Sequence, residues 1–264
     1  MIDIMKEIIA HKRTEVAERQ ELYPVKLLEK SIYFTSPTVS LKSFLDREDK
    51  VGIIAEIKRK SPSKGDFHRS LSVEELSLGY MQAGASALSV LTDSKFFGGT
   101  LEDLRVARRF NLCPILRKDF IVSPYQIVEA RSAGADVVLL IAAALAPHEL
   151  TELAKFARRL GLEVLLEVHN EQEIEQYLSD EIDLVGVNNR NLSTFEVAVR
   201  TSEELAEKIP ARFCKISESG ISDSETIKRL KVMGYKGFLI GEAFMRTSKP
   251  AAACRSLVST VVEG

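Results

Sequence analysis

The chain has 264 residues, 36 Lys plus Arg against 38 Asp plus Glu, and 45% apolar side chains. Near-neutral, well-mixed charge excludes a disordered chain and a generic polyanion binder, so an anionic ligand must be met by local basic groups. The length suits two domains or one α/β barrel, and a chain of this size buries about 75% of its unfolded surface without disulfide staples.

Cys113, Cys214 and Cys254 are too far apart for zinc spacing and too few for a disulfide framework. The N-terminus lacks a leader-length apolar run, and the longest apolar stretch, residues 137–146, is about half of what a bilayer needs. A cytoplasmic protein with no membrane or nucleic-acid partner is expected.

In chain order, Ile4, Met5, Ile8, Ile9 and Val16 make an apolar stripe at helical spacing, with Lys6, Glu7, Arg13 and Glu15 around it and Lys12 falling on the stripe itself. A second amphipathic piece spans 25–30, Ser36-Pro37-Thr38 marks a loop, and 41–45 a short helix. Residues 1–48 thus read as a helical extension. From Val51 onward, apolar β-rich runs near 52–57, 87–91, 114–117, 136–141, 163–168, 184–188, 213–217 and 237–240 alternate with helical patterns near 73–83, 101–109, 125–133, 147–160, 171–178, 202–207, 223–233 and 251–262. Continuous apolar strands are covered on both faces, as parallel strands are. Gly84, Gly134 and Gly234 each stand where a helix closes before a strand, a position that favours glycine. Eight βα units with no low-complexity linker predict a (β/α)₈ TIM barrel with an N-terminal helical extension, one domain over 1–264; a doubly wound sheet is the competitor.

In such a barrel the chemistry lies at the C-terminal strand ends. Glu56 and Lys58, two apart at the end of strand one, point to the same face. Lys118 ends strand three and Glu167 strand five, so the two can meet across the mouth. A lysine among apolar groups and other cations titrates low and a glutamate in such a place titrates high, which suits both to proton transfer near neutrality. His169 follows Glu167, but none of the four histidines has a partner at ligand spacing, and no metal is expected. Asn188, Asn189 and Arg190 follow strand six and suit an anion. Gly220 and Gly241 stand at the ends of strands seven and eight before helices, where barrels hold phosphate. Phe96 and Phe97 offer a wall for a planar ring, with one of the two expected in the core. On the residues alone, a phosphoribosyl isomerase and a non-catalytic phosphate-binding module also stay open. The isomerase, however, relies on a Cys or Asp acid/base pair, and no Cys follows a strand here.

AEIKRKSPSKG, LTDSKFFGGTLEDL, ILRKDFIVSPYQI, GADVVLLI, LLEVHNEQE, VGVNNRNL, SESGIS and LIGEAFMR, in that order, resemble the indole-3-glycerol phosphate synthase family. The resemblance runs from the first helix to strand eight. It implies closure and decarboxylation of 1-(2-carboxyphenylamino)-1-deoxyribulose 5-phosphate in tryptophan biosynthesis, without a cofactor, by a monomer or weak homodimer acting on a small phosphorylated substrate. By the same resemblance, Lys118 matches a general acid, Glu167 a general base, and Lys58 the lysine that holds the anthranilate carboxylate. Glu56, Asn188 and Glu218 match residues that orient these groups, with Ser219 beside them. Ser61, Arg190, Gly220 and Gly241 match phosphate or sugar contacts, and Phe97, Phe120 and Leu192 match residues that pack the aromatic ring. Glu242 departs from the pattern, standing where some members have Ser.

Overall fold

The computed structural model describes residues 4–61, 65–67, 72–191 and 194–263. Leu192, expected at the ring, lies outside the described residues.

Eight parallel strands close into a barrel: β1 (Ile53–Ile57), β2 (Ala87–Leu91), β3 (Ile115–Lys118), β4 (Val137–Ile141), β5 (Glu163–Val168), β6 (Leu184–Asn188), β7 (Cys214–Glu218) and β8 (Tyr235–Ile240). Each pairs with its sequence neighbours, and β1 pairs with β8 to complete the ring. The expected strands thus stand within a residue or two of their places, and the doubly wound alternative is excluded by the closure. Periodicity does not separately resolve the short helices at 32–35, 94–97 and 242–245, since a single turn is shorter than the repeat that reveals it.

The period of two along each strand builds the interior in layers. Ile54 is followed two residues on by Glu56, Leu116 by Lys118, Leu165 by Glu167 and Ile216 by Glu218. The lower residues pack together as a dry inner core, and the upper ones surround a cavity. Between barrel and outer helices lies a second, larger apolar layer containing Ile53, Leu88, Val138, Leu166 and Val185. Gly134 takes φ 90° and Gly234 φ 88°, the left-handed caps expected where a helix hands over to a strand.

The extension comprises α1 (Ile4–Leu22), α2 (Val25–Leu28), α3 (Ile32–Thr35) and α4 (Leu41–Leu45). It clasps the barrel at both ends. At the bottom, α4 inserts Leu41 and Leu45 under the inner core, and its first turn is tied to the start of β5, where the Glu163 carboxylate accepts the N–H groups of Leu41 (2.7 Å) and Lys42 (3.2 Å). At the mouth, α1 places Ile4, Met5 and Ile8 against the cavity. No helix among the described residues is long and apolar enough to cross a membrane.

Candidate active site

A cavity of about 610 Å³ opens at the C-terminal strand ends. Every described residue expected at the site lines it: Glu56, Lys58, Ser61, Phe97, Lys118, Phe120, Glu167, Asn188, Arg190, Glu218, Ser219, Gly220 and Gly241. These come from the ends of every strand but β4 or from the loops that follow them, which is why no local stretch of sequence shows the constellation whole.

At its floor Lys118 Nζ lies 2.9 Å from Glu167 Oε2 and 3.4 Å from Glu218 Oε2. Asn188 Nδ2 donates to Glu167 Oε1 at 3.0 Å. Lys58 Nζ lies 2.8 Å from Glu56 Oε1 and 5.7 Å from the centre of the Phe67 ring, a cation over an aromatic face. Two glycines make room for this crowd of carboxylates. A Cβ at Gly186 would come within 2.2 Å of Glu218 Oε1, and one at Gly241 within 2.4 Å of Glu56 Oε1.

The electrostatics differ from the sequence expectation. Burial alone would lower the pKa of Lys118, but Glu167, Glu218 and Glu56 outweigh it and hold the ammonium charged. Its neighbours are carboxylates, not cations, so the expected depression is reversed. Glu167 also moves opposite to expectation: burial would raise it, yet Lys118, His169 and the Asn188 hydrogen bond pull it below the usual carboxylate range. The lifted carboxyl is Glu218. Burial, with Glu167 and Glu56 nearby, pushes it up to about 7 against the pull of Lys118. Glu167 and Glu218 share a lysine and titrate as a pair, one low and one near neutral.

Glu218 Oε1 and the buried Ser61 hydroxyl have no hydrogen-bond partner among the described residues. Unmet buried polar atoms cost stability and are found where a ligand completes them. His169 is held by Glu173, Nδ1 to Oε2 3.2 Å, and its Nε2 lies 3.5 Å from Glu167 Oε1. It supports Glu167 from behind.

The asparagine that ends β6 and the one that follows it divide their work. Asn188 faces the cavity. Asn189 is buried; its amide donates to Ser217 Oγ and the Ser219 carbonyl, and its carbonyl accepts from Ser202. That fixes the turn in which Ser219 takes φ 68° and Gly220 φ 78°, a left-handed pair that a side-chain-bearing residue adopts only under constraint. Beyond it, α5 (Val73–Gln82) packs outside β1 and β2, and two loop helices shape the rim: α6 (Ser94–Phe97) after β2 and the single-turn helix 242–245 after β8. The ring of Phe97 lies 5.9 Å from that of Phe120, and the pair walls one side of the cavity. Phe96, one of two aromatics of which one was expected in the core, is instead half-buried and sits edge-on to His11 of α1, 5.8 Å away.

At the opposite side Glu242 reaches between two guanidinium groups, 3.1 Å from Arg190 Nη2 and 2.8 Å from Arg246 Nη2. Arg246 has no strand-end signal that would mark it in the sequence. Ile4, Met5 and Ile8 also escape notice there, because their stripe is indistinguishable from one that packs on a barrel wall.

The closed (β/α)₈ ring with a lysine–carboxylate cluster at its mouth and a two-glycine rim beside arginine defines a barrel enzyme acting on a small phosphorylated substrate. A model of the family described as indole-3-glycerol phosphate synthase matches residues 5–257. Curated relatives of that name include one from Bacteroides thetaiotaomicron, 48% identical over 99% of this chain and 100% of the relative, and one from Bordetella pertussis, 42% identical over 98% and 100%. The chain belongs to the indole-3-glycerol phosphate synthase family, carboxy-lyases of tryptophan biosynthesis. Among solved structures, 3-hexulose-6-phosphate synthase from Salmonella typhimurium (TM-score 0.63, 12% identity, 80% of this chain and 99% of that one) and the tryptophan synthase α-subunit from Pyrococcus furiosus (0.60, 15%, 82% and 99%) share the fold.

Proposed function

We propose that this enzyme closes the indole ring with Lys118 and Lys58 as acids and Glu167 as base. The substrate's anthranilate carboxylate pairs with Lys58, its ring stands against Phe97 and Phe120, and its phosphate rests at Gly220, Gly241 and Arg190, with the Ser61 hydroxyl on the phosphate or sugar. The ring carbon that bears the carboxylate attacks the ketone carbon while Lys118 protonates the carbonyl oxygen. Carbon dioxide leaves and aromaticity returns. The new hydroxyl then departs as water with a proton from Lys58, and Glu167 removes a proton from the carbon next to nitrogen to complete the indole. The one net proton taken up replaces the charge lost with the carboxylate.

Glu56 holds Lys58, Glu218 and Asn188 set the direction of Lys118 and Glu167, and Ser219 lies beside them. No step here calls for a redox centre or a carrier; held geometry and proton transfer supply the rate. We assign the whole of 1–264 to one domain, acting in the cytoplasm as a monomer or weak homodimer, a setting that three buried free cysteines suit.

The observation that supports this reading most directly is the contact of Lys118 with Glu167 and Glu218 inside the cavity. The chain has no Trp, so indole product is followed by fluorescence against a low background. The wild type converts the anilino-deoxyribulose phosphate, and Lys118→Met lowers turnover by at least about 10³-fold while keeping substrate affinity. Unchanged turnover in that variant removes Lys118 from the mechanism.

A further inference from the structure

A second charged cluster lies beside the site and belongs to none of the steps above. Lys12 of α1 is 1% exposed. Its Nζ stands 2.9 Å from Asp93 Oδ2, 3.1 Å from Asp119 Oδ1 and 2.8 Å from Glu15 Oε2. Burial would discharge a lone lysine; here Asp119 and Asp93 outweigh burial and keep it protonated. Asp119 in turn falls to about 2, burial being overcome by Lys12 and Arg117.

What these two carboxylates hold gives Lys12 its meaning. Asp93 Oδ1 accepts the backbone N–H groups of Phe96 (2.7 Å) and Phe97 (3.2 Å), capping α6. Asp119 Oδ1 accepts the N–H of Phe120 (2.8 Å), two residues past Lys118. One ammonium therefore touches both groups that anchor the two aromatic walls, and it comes from the helix whose Ile4, Met5 and Ile8 cover the same cavity.

We propose that Lys12 is a positioning residue for the reaction: bridging Asp93 and Asp119, it fixes the spacing of Phe97 and Phe120 and seats α1 over the ring subsite they form. This rests on the reading that the substrate ring occupies that subsite. It differs from simple anchoring of the extension, for which the molecule contains an internal control. Arg19, two turns further along α1, pairs with the buried Glu129 at 2.6 Å and touches no cavity residue in doing so.

The test compares full-length Lys12→Met, Lys12→Met/Asp93→Asn and Arg19→Met by steady-state kinetics and thermal unfolding. The double variant removes the uncompensated charge that could unfold the single one, while the amide oxygen that Asp93→Asn introduces still caps α6. At 25 °C both Lys12 variants raise KM at least about tenfold, because a displacement of about 1 Å is costly in a held geometry, and kcat changes less. Arg19→Met lowers the melting temperature but leaves KM within about twofold. A folded double variant with wild-type KM overturns the proposal, as does an Arg19→Met enzyme whose KM rises as much. Either outcome, alongside a wild type that converts the anilino-deoxyribulose phosphate, leaves the reaction assignment standing; a wild type that converts none overturns that assignment instead.

Discussion

Two neighbouring residues of β3 sit in opposite kinds of electrostatic environment. Arg117 points outward and is saturated: its guanidinium donates to Thr92 Oγ1 (3.1 Å), the Gln126 carbonyl (2.5 Å) and Asp119 Oδ2 (3.0 Å), and lies 3.4 Å from Glu129. Lys118 points inward to Glu167 and Glu218, of which Glu218 keeps an oxygen without a partner among the described residues and is lifted toward neutrality. The strand pleat separates the two by a single residue. The outer cluster trades desolvation for complete hydrogen bonding and holds architecture, whereas the inner one keeps unmet capacity that a substrate can use.

The largest effect is expected from removing the outer cluster's guanidinium. Arg117→Met leaves buried Asp119 to Lys12 alone and buried Glu129 to Arg19 alone, and should lower unfolding free energy by about 3 kcal/mol, read as a reduced urea midpoint. Lys118→Met should shift that midpoint less, because Glu218 can take up a proton where Asp119 cannot. Equal shifts would mean that both clusters are structural.

A finer probe is pH. Below about 7 Glu218 carries its proton, and above it the cluster gains one negative charge facing an anionic substrate. KM should therefore rise as pH increases through neutrality, and Glu218→Gln, which cannot ionise, should flatten that rise. Because the substrate phosphate titrates in the same range, the difference between the two profiles is the measurement; identical profiles would assign the titration to the ligand alone. The smallest effect concerns the rim. Glu242→Ser releases Arg190 and Arg246 from their internal carboxylate and should lower KM about threefold, the scale of a partly exposed ion pair. An unchanged or higher KM would show that Glu242 does not compete with the phosphate.

The barrel was legible because each βα unit repeats two strong periodicities and ends in recognisable glycines. The lysine–glutamate cluster was legible because charges at strand ends violate an otherwise apolar pattern. The direction of their titration was not, since it depends on which signs meet across the ring: Lys118 was expected among cations and stands among Glu56, Glu167 and Glu218. Lys12 did leave a trace, a lysine in register with Ile8 on an apolar stripe, but its partners Asp93 and Asp119 follow two different strands and only the closed barrel brings them together.

That long reach has a consequence for biogenesis. As the polypeptide emerges from the ribosome, α1 is made before the barrel yet lacks the partners of Lys12 until β2 and β3 have formed and Asp93 and Asp119 have come within range. Until then its apolar stripe and its ammonium stay in water, so docking of α1 waits on strands made well after it, and a nascent chain arrested before β3 should leave α1 open to protease.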